Sequence, residues 1–290
     1  MRSLKGVSLI AGVTFCFAST ALAQAGSPSK VDEANYVGDW GGAQFFAGLR
    51  LWANEWDIIF LERKPIIDPK NPTTILLQDQ ISSHISKMKI VPMPTMGVRY
   101  GSYVASMTYS APTSYDASSS YGRSVERSEF DVNFGYLITS SVLMSLGFKT
   151  ASVDRLVPSD SQDSKQRIQA IVFGVSGNAP IADPVSLYGN MAYGMARQKS
   201  AMKDASGDDT ISASYVIGEF GVSVRLLEGE AGAALKQLTG SVGYRVQTYT
   251  NKDVPLGTYT LTDPMTPVSV SHTDMRNSTS GIVLSIVGAF

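Results

Sequence analysis

The final ten residues, Gly281-Ile282-Val283-Leu284-Ser285-Ile286-Val287-Gly288-Ala289-Phe290, constrain the fold more than any other stretch. Ile282, Leu284, Ile286, Gly288 and Phe290 share one parity, and Gly281, Val283, Ser285, Val287 and Ala289 share the other. A period of two marks a β-strand, because successive side chains project to opposite faces, whereas a helix repeats every 3.6 residues. Chain ends in water usually fray. An apolar strand closed by an aromatic residue therefore predicts that its outer row is covered by something other than water.

The other end of the chain agrees. Met1-Arg2-Ser3-Leu4-Lys5 is short and basic, Gly6 to Ala18 is apolar but too short to cross a bilayer, and Ala21-Leu22-Ala23 is a small-x-small cleavage site. This predicts a secretory signal peptide over 1–23, with cutting before Gln24, or alternatively after Ala25. The single cysteine, Cys16, lies inside that segment behind Phe15, which does not fit a lipid-attachment site. The mature chain is then expected to have neither disulfide nor thiolate chemistry. Loss of Arg2 and Lys5 with the leader takes the net charge from −1 to −3. A chain without basic excess is not expected to bind nucleic acid. No mature segment has 18 consecutive apolar residues, so no α-helical span is expected.

Residues 24–42 are polar and glycine-rich and are expected to form a periplasmic tail. Period-two hydrophobicity then places strands near 43–60, 87–100, 103–115, 123–138, 141–155, 165–178, 184–199, 210–226, 237–251 and 276–290. Short turns (Gly101-Ser102, Thr139 to Ser141, Asn178 to Asp183, Leu227 to Lys236) alternate with longer connections at 61–86, 116–122, 156–164, 200–209 and 252–275. In most strands one row is apolar and the other polar. Phe130, Val132, Phe134, Tyr136 and Ile138 are expected outside, with Glu129, Asp131, Asn133 and Gly135 inside. Strand 165–178 is ambiguous, because Ile168, Ala170 and Val172 compete with Ile171, Phe173 and Val175. Apolar outer rows argue against a sandwich of two sheets in water, whose outer faces must be polar.

The terminal strand with Phe290, the leader and the alternating hairpins resemble bacterial outer-membrane β-barrels, whose assembly signal is a last strand of alternating apolar residues ending in Phe. The resemblance implies an all-β, transmembrane, antiparallel up-and-down barrel over 43–290 in the outer membrane of a Gram-negative bacterium. Ten strands are expected, with twelve as the alternative if 61–86 hides a further pair; in that segment Asp68-Pro69-Lys70-Asn71-Pro72 is a turn cluster, and Thr74 to His84 is read as a short helix or a strand extension. It also implies Phe290 as the assembly signal and the barrel-assembly machinery and outer-membrane lipid as partners.

The inward rows bring together Arg50, Arg99, Lys149, Arg225 and Arg245 with Glu129, Asp131 and Glu219. Such a lumen charge network either lines a polar passage or braces a filled interior. Small inward residues (Gly97, Gly135, Gly147, Gly243, Ser145, Ser223, Ser241) are read as leaving room for water. The expectation is a small porin-like channel for passive passage of small polar solutes. The alternative is a non-channel barrel acting through its loops in adhesion, complex formation or envelope structure. Loops 61–86 and 252–275 are the expected contact sites for an extracellular or envelope partner. They carry Pro65, Pro69 and Pro72, then Pro255, Pro264 and Pro267, with Ile75, Leu76, Leu77, Ile81 and Ile85 unusually apolar for solvated chain.

No enzyme is expected. His84 and His272 are the only histidines, and no catalytic set persuades: His272-x-Asp274 reverses the Asp-x-His order of the ten-stranded omptin proteases. No cofactor and no metal site are expected either, since two histidines without cysteine cannot make a typical structural zinc site. Asp204 to Asp209 is acidic but misses the calcium-loop pattern.

Overall fold

A computed structural model describes residues 42–68, 71–116, 124–156, 166–199, 210–230, 233–254, 258–260, 267–269 and 273–290. The expected leader and tail lie outside these residues. The strands, in chain order, are β1 (Ala43–Asp68), β2 (Asn71–Ile85), β3 (Lys89–Tyr100), β4 (Tyr103–Asp116), β5 (Ser124–Thr139), β6 (Val142–Leu156) and β7 (Gln166–Ala182). They continue with β8 (Val185–Lys199), β9 (Thr210–Glu228), β10 (Gln237–Val254), the short β11 (Thr258–Thr260) and β12 (Pro267–Ser269), and β13 (Thr273–Ala289). β11 and β12 pair only with each other.

Each of the large strands pairs antiparallel with its neighbour, and β13 returns to β1, with Phe46 opposite Ala289 and Leu61 opposite Asp274. The sheet therefore closes on itself and removes its edges, which is the condition for strands to cross lipid. β2 and β3 are two consecutive pieces of one wall strand. Both lie on β1, β2 against its outer half and β3 against its inner half. The break falls at Lys87 and Met88, and Ser86 holds it in place by exchanging bonds with Trp56: the Ser86 amide donates to the Trp56 carbonyl and the Trp56 amide donates to Ser86 Oγ. Counting them as one gives a barrel of ten wall strands.

The segment 61–86 corrects the sequence reading. It is not a loop but the outer continuation of the first hairpin, paired from Asp57↔Ile85 to Asp68↔Asn71. Regular antiparallel pairing satisfies backbone groups that a loop would leave to water. The alternative of twelve strands falls with it, because the extra chain lengthens one hairpin and inserts no new pair into the wall. Past Glu62 the hairpin pairs with no wall strand among the described residues.

Exposure follows parity. Phe134, Tyr136, Met144, Leu146, Phe173, Phe220, Ile282, Leu284 and Ile286 all face outward and are exposed. The ambiguous strand is resolved: Ile168 is 2% exposed and Ile171 is 55% exposed, so the Ile168, Ala170, Val172 row is internal. Tyr103 and Tyr136 stack edge to face at 5.3 Å beside the Gly101-Ser102 turn, where an aromatic girdle meets the interface. An apolar exterior of this extent on a closed barrel needs a hydrocarbon solvent.

The closing seam tolerates no extra atom at Gly281. A Cβ there would stand 1.9 Å from the Ala53 carbonyl oxygen and 2.6 Å from the Asn54 Cα. Gly281→Val is therefore expected to push β13 off β1. The loss should reach the upper end of the roughly 1–3 kcal/mol that overpacking costs, read as a lower midpoint in urea titration of the refolded barrel.

Candidate functional site

The barrel interior is organised like the core of a water-soluble domain. Near the short-turn end, Phe46, Val104, Leu143 and Val287 pack together. Higher up, Ala151, Ile168, Ala170, Val172, Ala192, Ala196, Tyr215, Ile217 and Tyr249 cover one side. Trp52, Trp56, Val91, Met93, Tyr115, Val125, Val153 and Val283 cover the other. Polar residues run between these clusters.

Glu219 on β9 is the first hub. Arg50 from β1 grips both its oxygens, Arg245 from β10 reaches Oε2 at 3.4 Å, and the Tyr188 hydroxyl from β8 donates to Oε1 at 3.2 Å. Arg245 also donates to Gln247 Oε1 at 3.2 Å, and Gln247 Nε2 donates to Glu129 Oε1 at 2.7 Å. Glu129 on β5 is the second hub, bonded to Arg127 and to Lys149 of β6. Lys149 Nζ bridges on to Asp131 at 2.8 and 3.1 Å. Arg127 ends the chain by donating to the Thr279 hydroxyl of β13. A single connected network thus ties β1, β5, β6, β8, β9, β10 and β13 together across the barrel.

Aromatic faces line the cations. Arg245 lies 5.0 Å from the Trp52 ring centroid, Lys149 5.6 Å from Tyr215, and Arg127 5.7 Å from Tyr249. A cation over an aromatic face is stabilised by the ring quadrupole, more so where water is excluded. Unpaired burial of any of these charges would cost several kcal/mol, so the sequence supplies both carboxylates and rings.

Arg50, Glu129, Asp131, Lys149, Glu219 and Arg245, expected inside, are all in the network. Arg99 and Arg225 lie at the short-turn rim instead. Arg99 Nε donates to the Gly101 carbonyl at 3.0 Å, and Arg225 pairs with Asp183 and Glu228. Arg127 escaped the sequence reading although it shares the parity of Glu129 and Asp131 and so belongs to the same inward row. Gln247, Tyr188 and Thr279 are inward by the same rule, but nothing in one sequence singles them out as partners.

The inward glycines do not open space. A Cβ on Gly97 would meet the Phe46 ring, on Gly135 the Leu143 side chain, on Gly147 the Asn133 amide and on Gly243 the Tyr188 hydroxyl. Each glycine is the seat of a larger neighbour. A cavity of about 20 Å³ bounded by Asp131, Asn133, Lys149 and Tyr215 has room for about one water.

No family model and no curated protein matches the sequence. Among solved structures, the outer-membrane protease OmpT from Escherichia coli matches at 10% identity and a TM-score of 0.37, over 85% of this chain and 97% of that one. A FadL homologue from Pseudomonas aeruginosa matches at 8% identity and 0.30, over 85% and 90%. An anion-selective porin from Comamonas acidovorans matches at 12% and 0.29, over 72% of this chain and 55% of that one. The expectation that this chain is not an enzyme is withdrawn, since a protease stands among these neighbours. Likeness at this level assigns no activity. The closed sheet and its apolar outer face make the chain an integral membrane β-barrel of the outer-membrane type.

Proposed function

We propose that this barrel is sealed along its axis, that the interior network is its brace, and that it acts at its outer rim. The observation that carries this reading is the burial of the inward row. Asn54 and Gln247 are 0% exposed and Glu219 is 2% exposed, whereas side chains lining an open pore would touch water. Barrels of about eight strands fill with side chains and those of sixteen or more keep an aqueous channel; ten strands stand near the filled end. A porin-like passage, expected from the polarity of the inward rows, would require Glu219 and Glu129 to release their cations.

The rim reading rests on the long first hairpin. Tilted strands rise about 2.5 Å per residue along the membrane normal, so about ten residues cross the ~25 Å apolar band. β1 has 26 residues, and its outer part stands as a two-stranded ribbon beyond the wall. The 252–275 connection, with β11 and β12, leaves the same end of the barrel. Together these offer a surface for an extracellular or envelope protein.

Planar bilayer recording of the refolded protein tests the reading. The wild type is expected to show no discrete conductance steps. Regular steps whose reversal potential moves toward cation preference in Arg245→Gln would replace the sealed barrel with a pore.

Assembly is a separate expectation. The Phe290 amide donates to the Phe45 carbonyl at 2.8 Å, so the backbone closure survives loss of the ring. If the ring serves as the insertion signal, Phe290→Ser should lower the yield of heat-modifiable barrel in cells severalfold. The same variant refolded in vitro should keep nearly its full stability. Unchanged cellular yield would remove that role.

A further inference from the structure

We propose that the seam between β3 and β4 is a lateral port, through which an acyl chain of an outer-leaflet lipid reaches the apolar cluster around Trp52 and Trp56. The ladder between these strands runs only from Tyr100↔Tyr103 to Thr95↔Thr108. Above it, Lys89–Pro94 and Tyr109–Asp116 flank one another without register, although β3 stays fully paired to β1 up to Asn54↔Lys89.

Two prolines end the ladder. The Gly101-Ser102 turn has two residues, with Gly101 at φ 58°, so Tyr100 and Tyr103 form the hydrogen-bonded pair that closes the hairpin. Bonding positions then recur every second residue. Tyr100, Val98 and Met96 point their amides at β4, and the next two positions in that series are Pro94 and Pro92, which have no N–H to give. The odd positions face β1, which is why that ladder continues past both prolines. Pro112 does the same to the other side of β4: the β4–β5 register slips between Ser110 and Thr113. Beyond the slip β4 pairs with β5 again from Thr113↔Arg127 to Asp116↔Ser124, so the weakened edge is the one facing β3.

Side chains cover part of the deficit. Thr95 Oγ1 donates to the Met107 carbonyl at 3.1 Å, and Thr113 Oγ1 donates to the Ala111 carbonyl at 3.0 Å. Lys89 Nζ and Asp116 clip the outer end at 2.9 Å. At about 2.5 Å per residue from the Tyr100 girdle, the stretch beyond the ladder occupies the outer half of the apolar band. Unpaired backbone there costs several kcal/mol per group, and replacing two donors by proline lowers the cost of parting.

The two sides of the seam fit a hydrocarbon. Ile90, Met96, Met107 and Tyr109 are exposed outside it. Val91 and Met93 of β3 and Tyr115 of β4 lie inside, in one cluster with Trp52 and Trp56. Between them the lips carry no charge until Lys89 and Asp116, at headgroup height, where an ammonium can meet a lipid phosphate.

The test uses the full chain with Trp40→Phe, so that only Trp52 and Trp56 emit. It is refolded into phosphatidylcholine bilayers with or without bromine at mid-chain. Bromine quenches indole on contact, so emission should fall by half or more in brominated lipid while aqueous iodide quenches little. Pro92→Val with Pro94→Val supplies the missing donors and should cut bromine quenching at least twofold. Lys89→Ala, which opens the clip and leaves the prolines, should increase it, and keeps the test alive should the double variant not fold. Equal bromine quenching in all three forms would mean quenching through a closed wall and would overturn the port. So would absence of quenching, or iodide quenching equal to that by bromine, which would mean a wet gap. Conductance is read separately, so a failure of the sealed-axis reading leaves this result intact.

Discussion

Glu129→Gln should destabilise the refolded barrel by about 3–5 kcal/mol, the cost of breaking a buried ion pair from one side. The reason is its position. One carboxylate serves Arg127, Lys149 and Gln247 at once, and all three face it with little water available. The amide keeps the shape and loses the charge, so two cations are left facing each other across a neutral group. Urea titration in lipid vesicles measures the loss. Adding Arg127→Met to Glu129→Gln should restore part of it, since Lys149 keeps Asp131 and residues in one network do not act additively. An open aqueous lumen would give another result: selectivity would shift while stability hardly changed, because water would hydrate the freed cations.

Leu146→Arg is expected to cost about 2–4 kcal/mol, the penalty for arginine at mid-membrane on the lipid face. Leu146 projects outward between Met144 and Phe148, which are exposed beside it. Asn133→Arg, on the inward row, should also destabilise, because Asn133 already fills the space over Gly147 and the cavity beside it, with room for about one water, cannot hydrate a guanidinium. The two losses differ in their dependence on the bilayer. The Leu146→Arg penalty should shrink in short-chain lipid, where the interface lies nearer, and the Asn133→Arg penalty should not. Equal response of both variants to chain length would refute the assignment of faces.

Parity alone made the wall legible. Phe130 to Ile138 and Leu238 to Val246 alternate so cleanly that the outward row could be read without coordinates. Strand 165–178 could not, because Ile168 and Ile171 are equally apolar; the interior accepts isoleucine where it is packed as a core, and lipid accepts it everywhere. The reading of 61–86 as a loop failed on its Asp-Pro-Lys-Asn-Pro cluster, which marks only the tip of a longer hairpin. The small inward glycines misled for a different reason. A glycine on an inward row shows that something comes close, and one sequence cannot show whether that is water or the Phe46 ring.

The individual charges of the site, Arg127 excepted, were visible, and their pairing was not. Arg50 and Glu219 are 169 residues apart, and Arg127 and Thr279 are 152 apart. No local spacing relates them. Even so, Pro92 and Pro94, two residues apart and counted from a two-residue turn, specify from sequence where one ladder must stop.

Those separations bear on how the molecule comes to exist. Contacts between distant parts of a chain are made late, after the loop entropy between them has been lost. Arg50 stands on the first wall strand, Glu219 on the eighth and Thr279 on the last, so neither hub can be filled in a half-built sheet. Arg127, Glu129, Asp131 and Lys149 can pair as soon as β5 meets β6, but until β13 meets β1 Arg50 and Glu219 need water. Closure of the ring and drying of the hub at Glu219 are then expected to be a single event.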